Sequence, residues 1–241
     1  MEVTTKPNAA RALSDQAIDR RLKVRRQPGR GHYDRATIDA VLDAGLVAHV
    51  AFIDEGHPVN VPLLYVRDGD RVYIHGASVS RVIRVLGSGV PACLAVTVLD
   101  GLVLARSAFE HSANYRSVML FGTFSPLDGL DDRLHALQAI TDTLVPGRWS
   151  EVRPPNDREL RATTILAISI GQASAKLRSG PPTDDDSPDN ALDVWAGVVP
   201  IVATFGEPRA SPGLRDGIPI PVSVRRLRKS PSTEPADGTL D

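Results

Sequence analysis

The stretch Arg71-Val72-Tyr73-Ile74-His75-Gly76-Ala77-Ser78-Val79-Ser80-Arg81 decides how this chain is read. Just before it, Arg67-Asp68-Gly69-Asp70 carries an Asp-Gly hairpin signal, so Arg71–His75 is predicted to return beside Val59–Val66. Strand alternation then sets Val72 and Ile74 on one face and Tyr73 and His75 on the other. Gly76-Ala77-Ser78 breaks the strand, and Val79–Leu86 reads as a short helix with Val82, Ile83 and Leu86 apolar.

Upstream, Asp34-Arg35-Ala36-Thr37 opens a helix whose apolar face is Ile38, Val41 and Leu42, with Gly45 to end it. Val47–Ile53 follows as a strand, with Asp54-Glu55-Gly56 as the turn into Val59–Val66. Downstream, Pro91–Leu99, an Asp100-Gly101 turn, Leu102–Phe109 and Tyr115–Phe124 give three more strands. Leu130, Leu134, Leu137, Ile140 and Leu144 recur at helical spacing until Pro146-Gly147. Thr164–Ile170 is the last clear strand, Gly180–Asp189 reads as a loop, and Trp195–Phe205 as one further strand. Hairpin-linked strands with few helices predict a mainly β fold, an antiparallel barrel with helices over its ends. No βαβ alternation supports a Rossmann fold.

The organisation expected is a basic arm over residues 1–31, one domain over 32–206, and a tail over 207–241 without order. A chain of 241 residues with 42% hydrophobic and 24% charged residues suits a globular protein of this size. A formal charge of -1 gives no electrostatic case for nucleic acid or an anionic membrane. The single cysteine, Cys93, rules out an internal disulfide and reads as a buried, inert thiol. It fits a reducing compartment, and with no apolar signal or transmembrane run the expected location is the cytoplasm.

Two polar clusters carry the candidate chemistry. In the first, His75, Ser78, Ser80 and Arg81 sit where a strand gives way to a helix. Free N–H groups, hydroxyls and an arginine fork suit a terminal phosphate. The same residues also fit an ordinary helix capped by Ser78 with Arg81 in solvent. In the second, Arg106-Ser107 and Arg116-Ser117 are predicted on strands joined by Glu110-His111-Ser112-Ala113-Asn114. Two arginines on apolar strand faces require partners, either a ligand or an internal salt bridge to Glu110 or Asp100. The six histidines show no metal-ligand spacing, and no Gly-x-Ser-x-Gly elbow supports a serine hydrolase.

These segments, taken together, resemble the pyridoxamine 5'-phosphate oxidase-like, FMN-binding split-barrel superfamily. The likeness is nearest to its nitroimidazole-reductase-like, flavin-nucleotide-binding branch. It rests on Tyr73-Ile74-His75-Gly76 through Ser80-Arg81, on Asp100-Gly101-Leu102-Val103-Leu104-Ala105-Arg106-Ser107, on His111-Ser112-Ala113-Asn114-Tyr115-Arg116-Ser117-Val118, and on Trp195-Ala196-Gly197-Val198-Val199-Pro200. The resemblance implies an antiparallel Greek-key split barrel that forms a homodimer with an FMN at each interface cleft. It would place His75, Ser78, Ser80 and Arg81 at the phosphate, and Arg106, Ser107, Asn114, Arg116 and Ser117 along the flavin. Lys176 and Trp195 would cover the cleft. Haem or a deazaflavin is the alternative cofactor that relatives use. The implied activity is an oxidoreductase acting on a small nitroaromatic or quinone-like acceptor, with His75 as a proton donor. A non-catalytic flavin-binding or cofactor-handling role is the competing class. Pyridoxamine phosphate oxidation itself is not expected, because Trp195 is not followed by the cations that grip that substrate.

Overall fold

The computed structural model describes residues 20–184 and 187–227. Its strands are β1 (Gly31–His32), β2 (Val47–Asp54), β3 (His57–Asp68), β4 (Arg71–Ala77), β5 (Pro91–Leu104), β6 (Ser112–Thr123), β7 (Ser125–Pro126), β8 (Thr163–Ser169), β9 (Ala173–Arg178) and β10 (Gly197–Pro200). The helices are α1 (Arg35–Ala44), α2 (Arg81–Gly87), α3 (Leu130–Leu144), α4 (Asp157–Ala162) and α5 (Val222–Leu227). The sheet order is β1-β9-β6-β5-β2-β3-β4-β8-β7, with β10 added against β5, and every pairing is antiparallel. Strand β3 pairs with β2 through its first half and with β4 through its second, so it turns the sheet from one half of the split barrel into the other.

Local chemistry explains the hairpins. Between β2 and β3 the two turn residues, Glu55 and Gly56, both have positive φ, at 50° and 79°. That backbone twist matches the twist of the flanking strands. Between β3 and β4 the hairpin falls where the Asp-Gly signal put it, but Asp68 pairs with Arg71 and the two turn residues are Gly69, at φ 54°, and Asp70. Inward side chains Val50, Phe52, Val72, Ile74, Leu94, Val96, Val118 and Leu120 build the barrel core, and α1 adds Ile38, Val41 and Leu42. A smaller cluster of Val66, Tyr73, Ile140, Ile165 and Ala167 seats α3 on the other side of β4 and β8.

Several expected boundaries move. The Asp100-Gly101 pair is not a hairpin turn: β5 runs through it and pairs with β6 as far as Val103, with a register shift between Leu99 and Gly101. A bulge absorbs the extra residue, and Gly101 eases the approach of β10, since a Cβ there would lie 3.0 Å from the Val199 carbonyl. Arg106 and Ser107 therefore fall in the loop after β5 and not on a strand. Helix α2 starts at Arg81, with Ser80 rather than Ser78 at its N-cap. Strand β9 and helix α4 have no counterpart among the expected elements. The strand expected over Trp195–Phe205 shrinks to β10. Within the segment expected to be a tail, α5 docks by Ser223, whose backbone N–H and hydroxyl both donate to Glu151. Between β10 and α5 the chain forms a strap that leaves Ile201, Val202, Phe205, Leu214, Ile218 and Ile220 exposed. Residues 1–19 of the basic arm and 228–241 of the tail lie outside the described residues. No described helix is long and apolar enough to cross a membrane.

The packing is close where α1 meets the barrel. A Cβ on Gly45 would lie 2.5 Å from Val96 Cγ1 and 2.7 Å from the Tyr65 hydroxyl, which itself donates to the Leu42 carbonyl. Gly45→Ala is expected to cost about 1–3 kcal/mol by overpacking. Urea unfolding of the variant beside the wild type measures it.

Candidate functional site

Strand β4 delivers His75 to the sheet's outer face, opposite Ile165 of β8. The side chain is half-buried, and burial holds its pKa below the ordinary imidazole value. Beyond it, Gly76 lets α2 approach, since a Cβ there would come 2.8 Å from Ile83. The hydroxyl of Ser78 donates to the Arg161 carbonyl at 3.2 Å and accepts from Thr164 at 2.9 Å. Ser80 makes no side-chain capping bond.

Arg81 does not stand free. Its Nε lies 2.6 Å from Asp54 Oδ2, and its Nη2 lies 3.6 Å from Glu55, so it ties α2 to the β2–β3 turn. Arg84, one turn along α2, has no side-chain partner among the described residues. With Ser78, Ser88 and Thr164 it borders a depression of about 280 Å³. Sequence reading passed over Arg84 because a lone arginine on a short helix carries no pattern.

The second cluster is held together by internal partners. Arg116 forks onto Asp100 with contacts of 2.8–3.2 Å, the salt bridge that sequence reading kept as an alternative. That carboxylate is the main reason the Arg116 pKa is raised. Arg106 meets Asp184, which accepts from its backbone N–H at 2.6 Å and from its guanidinium at 3.2 Å. Asp184 is 1% exposed, and its role was hidden by a separation of 78 residues. Ser107 accepts from the Glu110 N–H, and its carbonyl holds His111 Nδ1 at 2.8 Å. Asn114, 9% exposed, accepts from Arg178 and donates to the Gly180 carbonyl. Arg178 also donates to the Pro181 carbonyl, and burial lowers its pKa. These contacts pin the loop after β9 against β6.

Ser117 donates to the Lys176 carbonyl across the β6–β9 ladder, leaving the Lys176 ammonium without a partner among the described residues. Trp195 is 65% exposed, with its ring over Gly197, where a Cβ would meet it at 2.9 Å. The structure thus gathers Ser78, Ser80 and Arg81 around the start of α2. Asn114, Arg116, Ser117 and Lys176 share the β6–β9 side. No group of three or more His, Cys, Asp or Glu side chains able to hold a metal occurs among the described residues.

Between these regions the outer sheet face is apolar and open. Reading across β3, β2, β5 and β6, one row is Pro62, His49, Ala95, Met119 and the next is Asn60, Ala51, Cys93, Phe121. Val47, Ile53, Leu64, Leu99 and Met119 on this face are all more than two-fifths exposed. The second of these rows floors a groove of about 570 Å³ with Arg21 at its rim. The Arg21 guanidinium lies 5.7 Å from the Phe121 ring centroid and donates to Gln172 at 3.1 Å.

A family model described as pyridoxamine 5'-phosphate oxidase matches residues 34–177. The structure of the flavocytochrome Anf3 from Azotobacter vinelandii is 38% identical, with a TM-score of 0.82, over 89% of this chain and 99% of that one. A FAD and haem binding protein from Mycobacterium smegmatis is 43% identical, with a TM-score of 0.79, over 83% of this chain and 97% of that one. A putative 5-nitroimidazole antibiotic resistance protein from Bacteroides thetaiotaomicron, 20% identical over 61% of this chain and 85% of its own, shares the fold with a TM-score of 0.52. No curated protein matches the chain.

Burial of His75 has a pH consequence. The folded state disfavours the imidazolium, so the unfolded chain takes up this proton first as pH falls through about 6.5. Folded stability should therefore decline below that pH, and the decline should level off once pH passes the lowered folded value. His75→Gln is expected to flatten this part of the profile, measured by urea unfolding at a series of pH values between neutrality and pH 5.

Proposed function

The chain belongs to the pyridoxamine 5'-phosphate oxidase family, and on that premise we propose that it is a redox protein binding both a flavin and haem. The observation that carries this reading is its identity of 38% and 43%, over nearly the whole of both chains, to a flavocytochrome and to a FAD and haem binding protein. In this reading FAD replaces the FMN implied by the sequence resemblance, and haem stands as a second cofactor rather than an alternative to flavin.

The chain's own residues fit both groups. Arg84 lines the α2 depression as an uncommitted donor, and Ser80 offers a second at the start of the helix, which suits a phosphate. Arg81 would join them only by giving up Asp54 and Glu55. The open sheet face offers apolar surface for planar groups, and Ser117 and Lys176 border it with polar atoms, whereas Asn114 lies on the inward side of β6 and is committed to Arg178 and Gly180. When bound, the flavin would supply hydride and electron transfer to a small acceptor, nitroaromatic or quinone-like. His75, neutral near pH 7 and on the outer face, is placed to hold or deliver a proton. Trp195 is not followed by substrate-gripping cations but by β10, so oxidation of pyridoxamine phosphate is not proposed.

The visible spectrum of the purified protein tests the reading. Oxidised-flavin bands should appear, with FAD released on denaturation and a pyridine haemochromogen obtained from the same sample. Protein that is colourless and takes up neither cofactor when supplied would sink it. Arg84→Ala is expected to weaken flavin binding by about 1.5–3 kcal/mol, the range for a hydrogen bond to a charged group. Fluorescence titration of the apo-protein measures the change.

We also infer a homodimer, because the outer face leaves five large apolar side chains exposed across it. Association about a two-fold axis would cover both copies of this face at once. Met119→Lys places a charge in its middle and is expected to shift the mass toward the monomer in light scattering after size exclusion. A wild-type protein that elutes as a monomer would overturn this inference.

A further inference from the structure

We propose that His49 is the residue that ligates haem iron, with the porphyrin lying on the outer face of β2, β3 and β5; this rests on the haem reading above. His49 projects from the centre of that face, level with Pro62 and Ala95, and is exposed. It makes no hydrogen bond or ion pair among the described residues, so a ring nitrogen is available to a metal. On the side toward β5 and the groove, Ala95 lies beside it and Ala51 and Cys93 occupy the next row, so a macrocycle extending that way meets no bulky side chain, while Val47 and Leu64 rise on the other side.

Larger apolar side chains bound this flat area. Met119 and Phe121 stand along β6, and Leu64 stands on β3. Two residues along β2 from His49, the floor passes into the groove of about 570 Å³, within the ordinary range for a cofactor site. Arg21 at that rim suits the carboxylates of a porphyrin.

The other histidines are placed less well. His135 is engaged with Asp68 at 2.6 Å, and His111 Nδ1 is engaged with the Ser107 carbonyl in a loop. His75 is half-buried beside Ile165. His57 flanks the β2–β3 turn, and His32 lies on the short edge strand β1. Cys93 shares the face, but burial raises its pKa, which keeps it a thiol rather than the thiolate that iron prefers.

The test is titration of the haem-free protein with ferric protoporphyrin IX, followed by absorption and low-temperature electron paramagnetic resonance. Wild type should give a saturable Soret band and a histidine-ligated iron signal. His49→Ala should lose that signal and bind more than about tenfold more weakly. His49→Gly should regain the signal when imidazole is added, which a merely misfolded variant would not do. His75→Ala and His111→Ala should keep the wild-type spectrum. A wild-type spectrum and affinity in His49→Ala, or loss of the signal only in His75→Ala or His111→Ala, overturns the assignment and leaves the haem reading intact. A wild type that binds no porphyrin overturns both.

Discussion

The structure depends on the long antiparallel ladder between β5 and β6, paired from Pro91 and Thr123 at one end to Val103 and Ser112 at the other. Fourteen residues of β5 span both the barrel core and its lower rim. A strand of that length needs a bend to stay on a barrel, and the bulge at Asp100 supplies it. A bulge loosens the ladder, and the fork of Arg116 onto Asp100 closes it again from the facing strand. β10 then pairs with β5 across Gly101, where a Cβ would press on the β10 backbone. The loop that carries Arg106 and Ser107 leaves from the same end. Because these features share one origin, a change in the register of β5 would move them together.

A second layer of order comes from charges buried with their partners. Asp184 and Arg106 join two loops, and Arg178 and Asn114 join a strand end to the chain just beyond it. A buried carboxylate or guanidinium costs several kcal/mol unless it is satisfied. Here each one accepts or donates two or more bonds, and no buried side-chain nitrogen or oxygen among the described residues lacks a partner. The polar density seen in the sequence is thus largely the means by which the loops around the sheet are fixed. Among the described residues, Arg84, Ser80, Lys176 and His49 are left with bonding capacity to spare.

Much of the fold was legible in the chain. Asp-Gly and Glu-Gly turns, helical spacing in α1 and α3, and alternation in β4 all report local energetics, and local energetics is what a sequence displays most directly. Strand β9 was not legible because Ala173-Ser174-Ala175 has weak strand propensity, and pairing with β6 decides its conformation. The Asp100-Gly101 pair misled because the same dipeptide suits a turn and a bulge; Arg116 and β10 decide between them. The site was legible as a set of residues but not as a set of roles. Arg81, Arg106 and Arg116 could each be read as ligand-binding until their carboxylates were located, and the partner of Arg106 lies too far along the chain for spacing to reveal. His49 was read only as one of six scattered histidines, since exposure on a sheet face becomes visible only when the neighbouring strands are in register.

The strap between β10 and α5 has fixed end points, Ile201 bonded to the Asp100 carbonyl and Ser223 bonded to Glu151. Its far anchor is a six-residue helix, too short to persist in water by itself. The helix docks because the chain holds it near Glu151 at a high local concentration. A single peptide-bond cleavage in the strap would remove that advantage without touching a core residue. The anchor would then be diluted into solvent, so the covalent continuity of an exposed segment, rather than the strength of any contact it makes, keeps this end of the molecule assembled.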